Sequence, residues 1–519
     1  MISAADHLQH DLSAAQKDYA IFLPAVSSFY STYIGRQRFD NYVDLARMPQ
    51  QIPDMEMLNI FNPQQALFPY QWALYSAGHA NLDLSKTDPR EDMMRNRGSH
   101  TTLLCDSGGF QIAKGVWEAD WTNPACPRAE KKRSAVIKWL DGMADYAMTL
   151  DIPTWTANVP GSTKKTGIRN YDDAVRATHY NNEYFIRHRR GIDEGGARFL
   201  NVLQGASHSE ADSWYDLMKQ YCDPSQYPKR HFNGWGMGGQ NMCDPHLVLR
   251  RIVTLMHDGL LESGVHDWMH FLGTSKLEWA LMLTDIQRAV RRHHNPTFTI
   301  SFDCASPFLA TANGQLYHSI NIQDRGRWNY LMEPTVDNKK YAKDSRLFRD
   351  AVTQDGIHAQ FEDSPITARM KISDVCVYAP GDKNKIGKEG KTSWDSFSYA
   401  LLMGHNMWMH IEAVQRANRE YDRGLVPSML VREQFDRVMF RDLLEDIFSC
   451  RDRQKSLDLI DHHSRFWQQI IGTRGLTGKR VINANTMFNT LFTGKPEPAD
   501  QEELDQSLLD RLEDGESSD

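Results

Sequence analysis

The chain has 519 residues, a formal charge of −8, 41% hydrophobic residues and 10% aromatic residues, enough to build one large domain with additions. Its seven scattered cysteines include no C-x-x-C pair, no apolar run approaches the roughly 20 residues of a membrane span, and residues 1–17 lack an apolar signal-peptide core; this argues against a disulfide framework, and no membrane association and a cytoplasmic compartment are expected. Residues 497–519 carry ten acids and one base, net −9, which leaves about +1 on the rest, so overall charge neither requires nor excludes a nucleic-acid partner.

Short apolar runs that end in small, polar or acidic residues recur along the chain. They lie at 20–25, 103–106, 146–151, 199–205, 231–239, 269–274 and 298–304, with a weaker eighth at 55–61. Helical periodicity covers 135–147, 172–190, 210–221, 245–263 and 276–293 between them. Such β-α alternation, with strands apolar on both faces, predicts an α/β fold: a closed (β/α)8 TIM barrel with a C-terminal, mainly helical extension. The alternative, a doubly wound open sheet, lacks a G-x-G-x-x-G after the first strand. Beyond the barrel, Asn313-Gly314-Gln315 reads as a turn, 330–370 as irregular, 371–378 as a strand, 396–420 as one long helix and 427–475 as further helices. The expected organisation is an N-terminal helical segment (1–19), the barrel (20–330), an insert and helix (331–420), a helical region (421–495) and an acidic tail (496–519).

Strand C-terminal ends form the catalytic face of such barrels. Asp106, Asp151, Gln204, Gly234, Gly273 and Asp303 all fall there on this reading. One acid after a strand is as readily a helix cap as a catalyst; three acids, a Gln-Gly and a glycine-rich turn at one end are not explained by capping alone. Paired carboxylates can perform acid/base and nucleophilic work on a glycosidic bond, and the backbone N–H groups of Ser107, Gly108 and Gly109 suit a carbonyl or an anion. The residues by themselves indicate a carboxylate-based transferase or hydrolase acting on a glycoside.

In order and spacing, Asp106-Ser107-Gly108-Gly109-Phe110-Gln111, Asp151, Val202-Leu203-Gln204-Gly205, Gly234-Trp235-Gly236-Met237-Gly238, Phe271-Leu272-Gly273 and Phe302-Asp303-Cys304 resemble the tRNA-guanine transglycosylase superfamily over roughly residues 20–415. His405-Asn406 resembles a helix motif near that family's C-terminus. The resemblance implies replacement of guanine in a polynucleotide by a 7-deazaguanine. It implies Asp303 as nucleophile toward the sugar C1′, Asp106 as general acid/base, Asp151 as acceptor for the guanine N1–H and amine, and Gln204, Gly205 and Gly234 on the O6 side. Ser107, Gly108, Gly109, Phe110 and Met237 complete the implied base pocket.

The departures from that pattern concern the partner. The tRNA enzymes carry zinc on three closely spaced cysteines and a histidine after the nucleophile strand; here that region holds only Cys376, with His405 further on, so no metal or other cofactor is expected. The histidine pairs 293–294 and 462–463 read as surface residues. The chain is most similar to the DpdA-type branch, which installs 7-deazaguanine in DNA. The expected partners are therefore DNA and a free 7-deazaguanine base, such as the 7-cyano form. Alternatives are a divergent tRNA enzyme without zinc, a catalytically silent nucleic-acid-binding subunit and a barrel glycosidase; oligomeric state is open, with a homodimer as one option. Lys164 and Lys165, Arg325 and Arg327, and Lys383, Lys385, Lys388 and Lys391 are the basic groups that could meet phosphates.

Overall fold

The computed structural model describes residues 18–40, 47–86, 88–352, 361–377, 393–432 and 438–472. Eight parallel strands form one sheet: β1 (Ile21–Pro24), β2 (Trp72–Ser76), β3 (Thr102–Asp106), β4 (Tyr146–Met148), β5 (Arg198–Leu203), β6 (Gly234–Met237), β7 (Trp268–Phe271) and β8 (Thr299–Cys304). The order runs β1-β8-β7-β6-β5-β4-β3-β2. The ends meet where Ala25 bridges to Leu74 and the Val26 N–H donates to the Leu74 carbonyl at 3.0 Å, which nearly closes the barrel. Helices between the strands and a helical C-terminal region complete a (β/α)8 barrel with an extension.

The second strand is Trp72–Ser76, not the run at 55–61. Asp54 accepts from the Glu56 N–H and turns Met55–Leu58 into one 3-10 turn. The outer helices start where polar caps stand: Asn170 before Tyr171–His188, Ser207 before His208–Met218, Asp244 before Pro245–His257. The helix expected at 135–147 begins earlier, at Pro127, and ends at Met143, because proline is suited to the first helical turn. The helix expected to reach residue 263 stops at His257, and Gly259 follows with φ of 69°.

After β8, the helix Ser306–Ala312 leads into an antiparallel hairpin, β9 (Gln315–Asn321) and β10 (Asn329–Pro334), whose second strand runs into the region expected to be irregular. The strand expected at 371–378 is a single 3-10 turn, Ile372–Asp374, with one bridge from Lys371 to Leu347. Ser396–Asp422 is the long helix. His405 and Asn406 act structurally in it. Asn406 donates to the Pro307 and Gln315 carbonyls and to Thr311 Oγ1, and accepts from the Tyr317 N–H; His405 Nε2 meets the Tyr317 carbonyl. Three more helices, Phe440–Ser449, Arg453–His462 and Ser464–Gly472, cover the outer helices Leu277–His293 and Pro245–His257. Ion pairs of Glu445 with Arg292 and of Asp461 with His246 and Arg250 tie this layer down. Among the described residues, no helix is long and apolar enough to cross a membrane.

Candidate active site

The β-pleat decides which side chains look into the barrel. Trp235 donates its indole N–H to the Leu260 carbonyl on the helix side, so its neighbours Gly234 and Gly236 face inward. Ser76 and Asp106 are paired residues on one face, and Asp303 pairs with Leu23. Asp106, Asp151 and Asp303 thus converge at the C-terminal mouth.

Asp106 ends β3. Its Oδ2 accepts from the Ser76 hydroxyl at 2.7 Å and from the Gly108 N–H at 3.3 Å. Burial raises its carboxyl above the ordinary aspartate range, and the charge of Asp303 adds to the shift. Gly108 caps the short helix Gly109–Ala113 at φ of 85°, where a Cβ would lie 2.4 Å from the Trp117 ring. A Cβ on Gly109 would lie 2.6 Å from the Asp151 carbonyl, so this glycine lets the two acid-bearing loops touch. The buried Ser107 hydroxyl donates to the Thr149 carbonyl at 2.9 Å; its side chain pins β3 to β4 rather than facing a ligand.

Asp151 lies three residues beyond β4, in a loop fastened by Thr178 to the Ile152 N–H and by Asn181 to the Leu150 carbonyl. Its Oδ2 accepts from Gln204 Nε2 at 2.8 Å. Burial pushes its carboxyl up to about 7, with Asp106 contributing. This carries a stability prediction. The folded chain keeps the Asp151 proton to about pH 7, whereas the unfolded chain releases it near the ordinary value of 3.8. The folded state therefore binds more protons across that window, and stability is lost as pH rises through it. Asp151→Asn has no charge to bury and preserves the acceptor for Gln204. Its stability relative to wild type should increase by about 2–3 kcal/mol between pH 5 and pH 8 in denaturant unfolding; a difference that does not change with pH refutes the buried ionisation.

Asp303 stands one residue before the end of β8. Its Oδ1 accepts from the Gly273 N–H at 2.9 Å and meets His270 Nε2 at 3.1 Å. Among the described residues, hydrogen bonds reach only one oxygen of each of the three carboxylates: Oδ2 of Asp106, Oδ2 of Asp151 and Oδ1 of Asp303. Each acid is held by one oxygen and presents the other.

The remaining expected residues divide. Gln204 is beside Asp151: one of its two Nε2 hydrogens donates there, and its buried Oε1 has no partner. The side expected to offer an N–H to a base carbonyl carries an acceptor beside the second Nε2–H. Gly205 sits at φ of 133° with a Cβ position 2.5 Å from the Ala211 N, so only glycine fits under that helix start. Gly234 is a correction: it begins β6, paired with Trp268 at the opposite end of β7 from Gly273, and is remote from the mouth. Met237 is another: the pleat that turns Trp235 outward turns Met237 the same way. Gly238 and Gly239 take their place, since Cβ atoms there would lie 2.6 Å from Gln204 Nε2 and 2.9 Å from Oε1. Phe110 is half-buried, 5.7 Å from Trp155 in an edge arrangement, with Lys114 Nζ above both rings.

Among the basic residues, Lys164 and Lys165 are exposed on the helix Ser162–Thr166, whose Ser162 hydroxyl donates to the Ala113 carbonyl beside the Asp106 loop. Lys165 pairs with Glu118 at 3.1 Å. Arg325 and Arg327 are exposed in the β9–β10 turn, and that hairpin is tied to the β7 exit by Tyr330 to the Ser275 carbonyl and by the Trp328 N–H to Glu278. The two groups therefore follow strands four places apart around the barrel. Lys383, Lys385, Lys388 and Lys391 lie outside the described residues, as do 1–17 and the acidic tail.

Sequence reading missed Ser76, His270 and Ser301. A serine after Tyr75 and a histidine between Met269 and Phe271 carry no pattern of their own; only the pairing of neighbouring strands gives them a partner. The residues present do not fit the zinc of the tRNA enzymes. The buried Cys376 thiol, raised by desolvation, donates to the Val336 carbonyl, and both His405 nitrogens are engaged, by the Tyr317 carbonyl and Thr367. Among the described residues, no group of three His, Cys, Asp or Glu side chains is placed to hold a metal. No family model matches the chain, and no curated protein matches it.

Proposed function

We propose that the chain is a base-exchange transglycosylase that replaces guanine in DNA with a 7-deazaguanine, such as the 7-cyano form, through a covalent bond between Asp303 and the sugar. The observation that carries this reading is the set of three carboxylates at one barrel mouth, each held by one oxygen. Their order along the chain is that of the transglycosylase motifs. Asp303 Oδ2 forms a bond to C1′ as the C1′–N9 bond breaks and the base leaves with the electron pair. Asp106 gives a proton to the departing base and takes one from the N9–H of the incoming base, whose N9 then displaces Asp303. Asp151, ionised as the base arrives, accepts its two adjacent donors, and the orphaned Gln204 Oε1 offers a further acceptor. Phe110 and Trp155 supply an aromatic wall for a base turned out of its stack, an event that costs roughly a few kcal/mol.

DNA is favoured over tRNA because the zinc-bearing segment of the tRNA enzymes has no counterpart in the Cys376 and His405 hydrogen bonding. The basic groups at 164–165 and 325–327 border the mouth on two sides and would meet phosphates. Expression of the chain with a supply of the deazaguanine base, followed by nucleoside mass spectrometry of separated DNA and tRNA, is the test. Deazaguanine should appear in DNA. Its appearance in tRNA alone refutes the DNA assignment, and its absence from both refutes the exchange activity.

A further inference from the structure

The barrel interior beneath Asp303 holds a continuous polar column that none of the proposed chemical steps uses. Trp268 Nε1 lies 2.7 Å from Ser301 Oγ, Ser301 Oγ lies 2.8 Å from His270 Nδ1, and His270 Nε2 lies 3.1 Å from Asp303 Oδ1. His270 and Ser301 are completely buried, and they are cross-strand partners between β7 and β8. Ser301 and Asp303 are two residues apart on β8, so both project to the same face.

The donor inventory of these groups gives the column one direction. An indole N–H can only donate, so Ser301 Oγ accepts from Trp268. Among the described residues the buried Ser301 Oγ meets only Trp268 and His270, so its single hydroxyl proton is satisfied only at His270 Nδ1, which is then the unprotonated nitrogen. The ring proton is on Nε2 and points to Asp303 Oδ1. The tautomer is set by the far end of the column, in the way that the second nitrogen of a histidine generally decides the role of the first.

Resting on the transglycosylase reading, we propose that His270 is a positioning residue for the nucleophile: Trp268 and Ser301 hold it as the Nε2–H tautomer, and with the Gly273 N–H it clamps Asp303 Oδ1 so that Oδ2 is the oxygen that attacks C1′. Two donors on one oxygen fix the carboxylate plane and both of its lone-pair directions. They come from β7 and the turn after it, so the nucleophile is aligned by a neighbouring strand rather than by its own. The clamp also leaves the attacking oxygen unencumbered, since among the described residues no hydrogen bond reaches Oδ2. When the sugar bond forms at Oδ2, the resulting ester has its carbonyl at Oδ1. The same two donors then stabilise that carbonyl and, as the incoming base displaces Asp303, the charge that returns to it.

The test uses the full chain with a guanine-containing DNA oligonucleotide. Covalent adduct formation without an incoming base is followed on denaturing gels, and full exchange is followed with labelled guanine. His270→Phe keeps a ring but removes the donor; adduct formation should slow about 10- to 100-fold, as expected for the loss of one hydrogen bond to a charged group, with KM for the free base unchanged. His270→Gln places an amide N–H near the Nε2 position and should restore most of the rate, which a purely space-filling role for the ring does not predict. Ser301→Ala leaves His270 in place but releases Nδ1, and 15N spectra should show loss of the single Nε2–H tautomer together with a smaller rate defect. Retained thermal stabilisation by 7-deazaguanine identifies variants that have folded. Wild-type adduct formation at a rate shared by His270→Phe overturns the positioning role and leaves the transglycosylase reading intact. No adduct and no exchange in wild type overturns both.

Discussion

Asp303→Asn is expected to abolish exchange, lowering the rate of guanine incorporation by about 10^4-fold or more, as removal of a covalent nucleophile does. The substitution preserves shape, and its Oδ1 can still accept from the Gly273 N–H and His270. What it removes is the free carboxylate oxygen. No adduct should form on denaturing gels, while the free deazaguanine should still raise the melting temperature, because Asp151, Gln204 and Phe110 are untouched. The combination matters: loss of binding along with the rate would indicate a collapsed pocket. Exchange within tenfold of wild type would falsify the nucleophile assignment and shift attention to Asp106 as the group that bonds to the sugar.

Much of the site was legible because its residues terminate apolar runs. Asp106, Gln204 and Asp303 each follow or nearly end a buried strand, and a run of Leu, Val or Phe that stops at an acid marks a barrel mouth from local pattern alone. Asp151 was legible for the same reason, although its strand stops earlier, at Met148. The failures have a different origin. Residues 231–239 have the pattern of one strand, but the strand itself runs only from Gly234 to Met237, so the residue expected at the mouth stands at the strand's start. The same frame error placed Met237 in the pocket, where a shift of one residue reverses the face. β2 fits the same pattern, since Trp72-Ala73-Leu74-Tyr75 ends at Ser76, but 55–61 is an equally apolar run competing for the same place, and only the structure shows that Asp54 caps it into a turn. His270 and Ser301 were illegible because their meaning lies in strand pairing: a histidine in an apolar run reads as core until β8 supplies the serine on one side and the acid on the other.

Asp106→Asn should produce a defect whose size depends on the leaving base. Burial and the charge of Asp303 both favour the protonated carboxyl, and Ser76 and Gly108 occupy Oδ2, so the proton is available on Oδ1 for the departing guanine. General acid catalysis of this kind contributes about 10^2- to 10^4-fold, and adduct formation on guanine DNA should fall by that amount in the variant. A 7-methylguanine target already carries a positive charge and leaves as a neutral base without a proton from the protein. The variant should therefore form adduct on 7-methylguanine DNA at nearly the wild-type rate. The second half of exchange still needs Asp106 as base, because the incoming N9–H must lose its proton before the sugar bond forms. Adduct should consequently accumulate in Asp106→Asn when 7-methylguanine DNA is supplied together with 7-deazaguanine, whereas wild type turns it over. Equal defects on guanine and 7-methylguanine would remove Asp106 from the proton path and leave it only as an electrostatic neighbour of Asp303. The wild-type rate on guanine should also decline as pH rises and Asp106 ionises. The raised carboxyl places that decline above the ordinary aspartate range, and the asparagine variant should lack it.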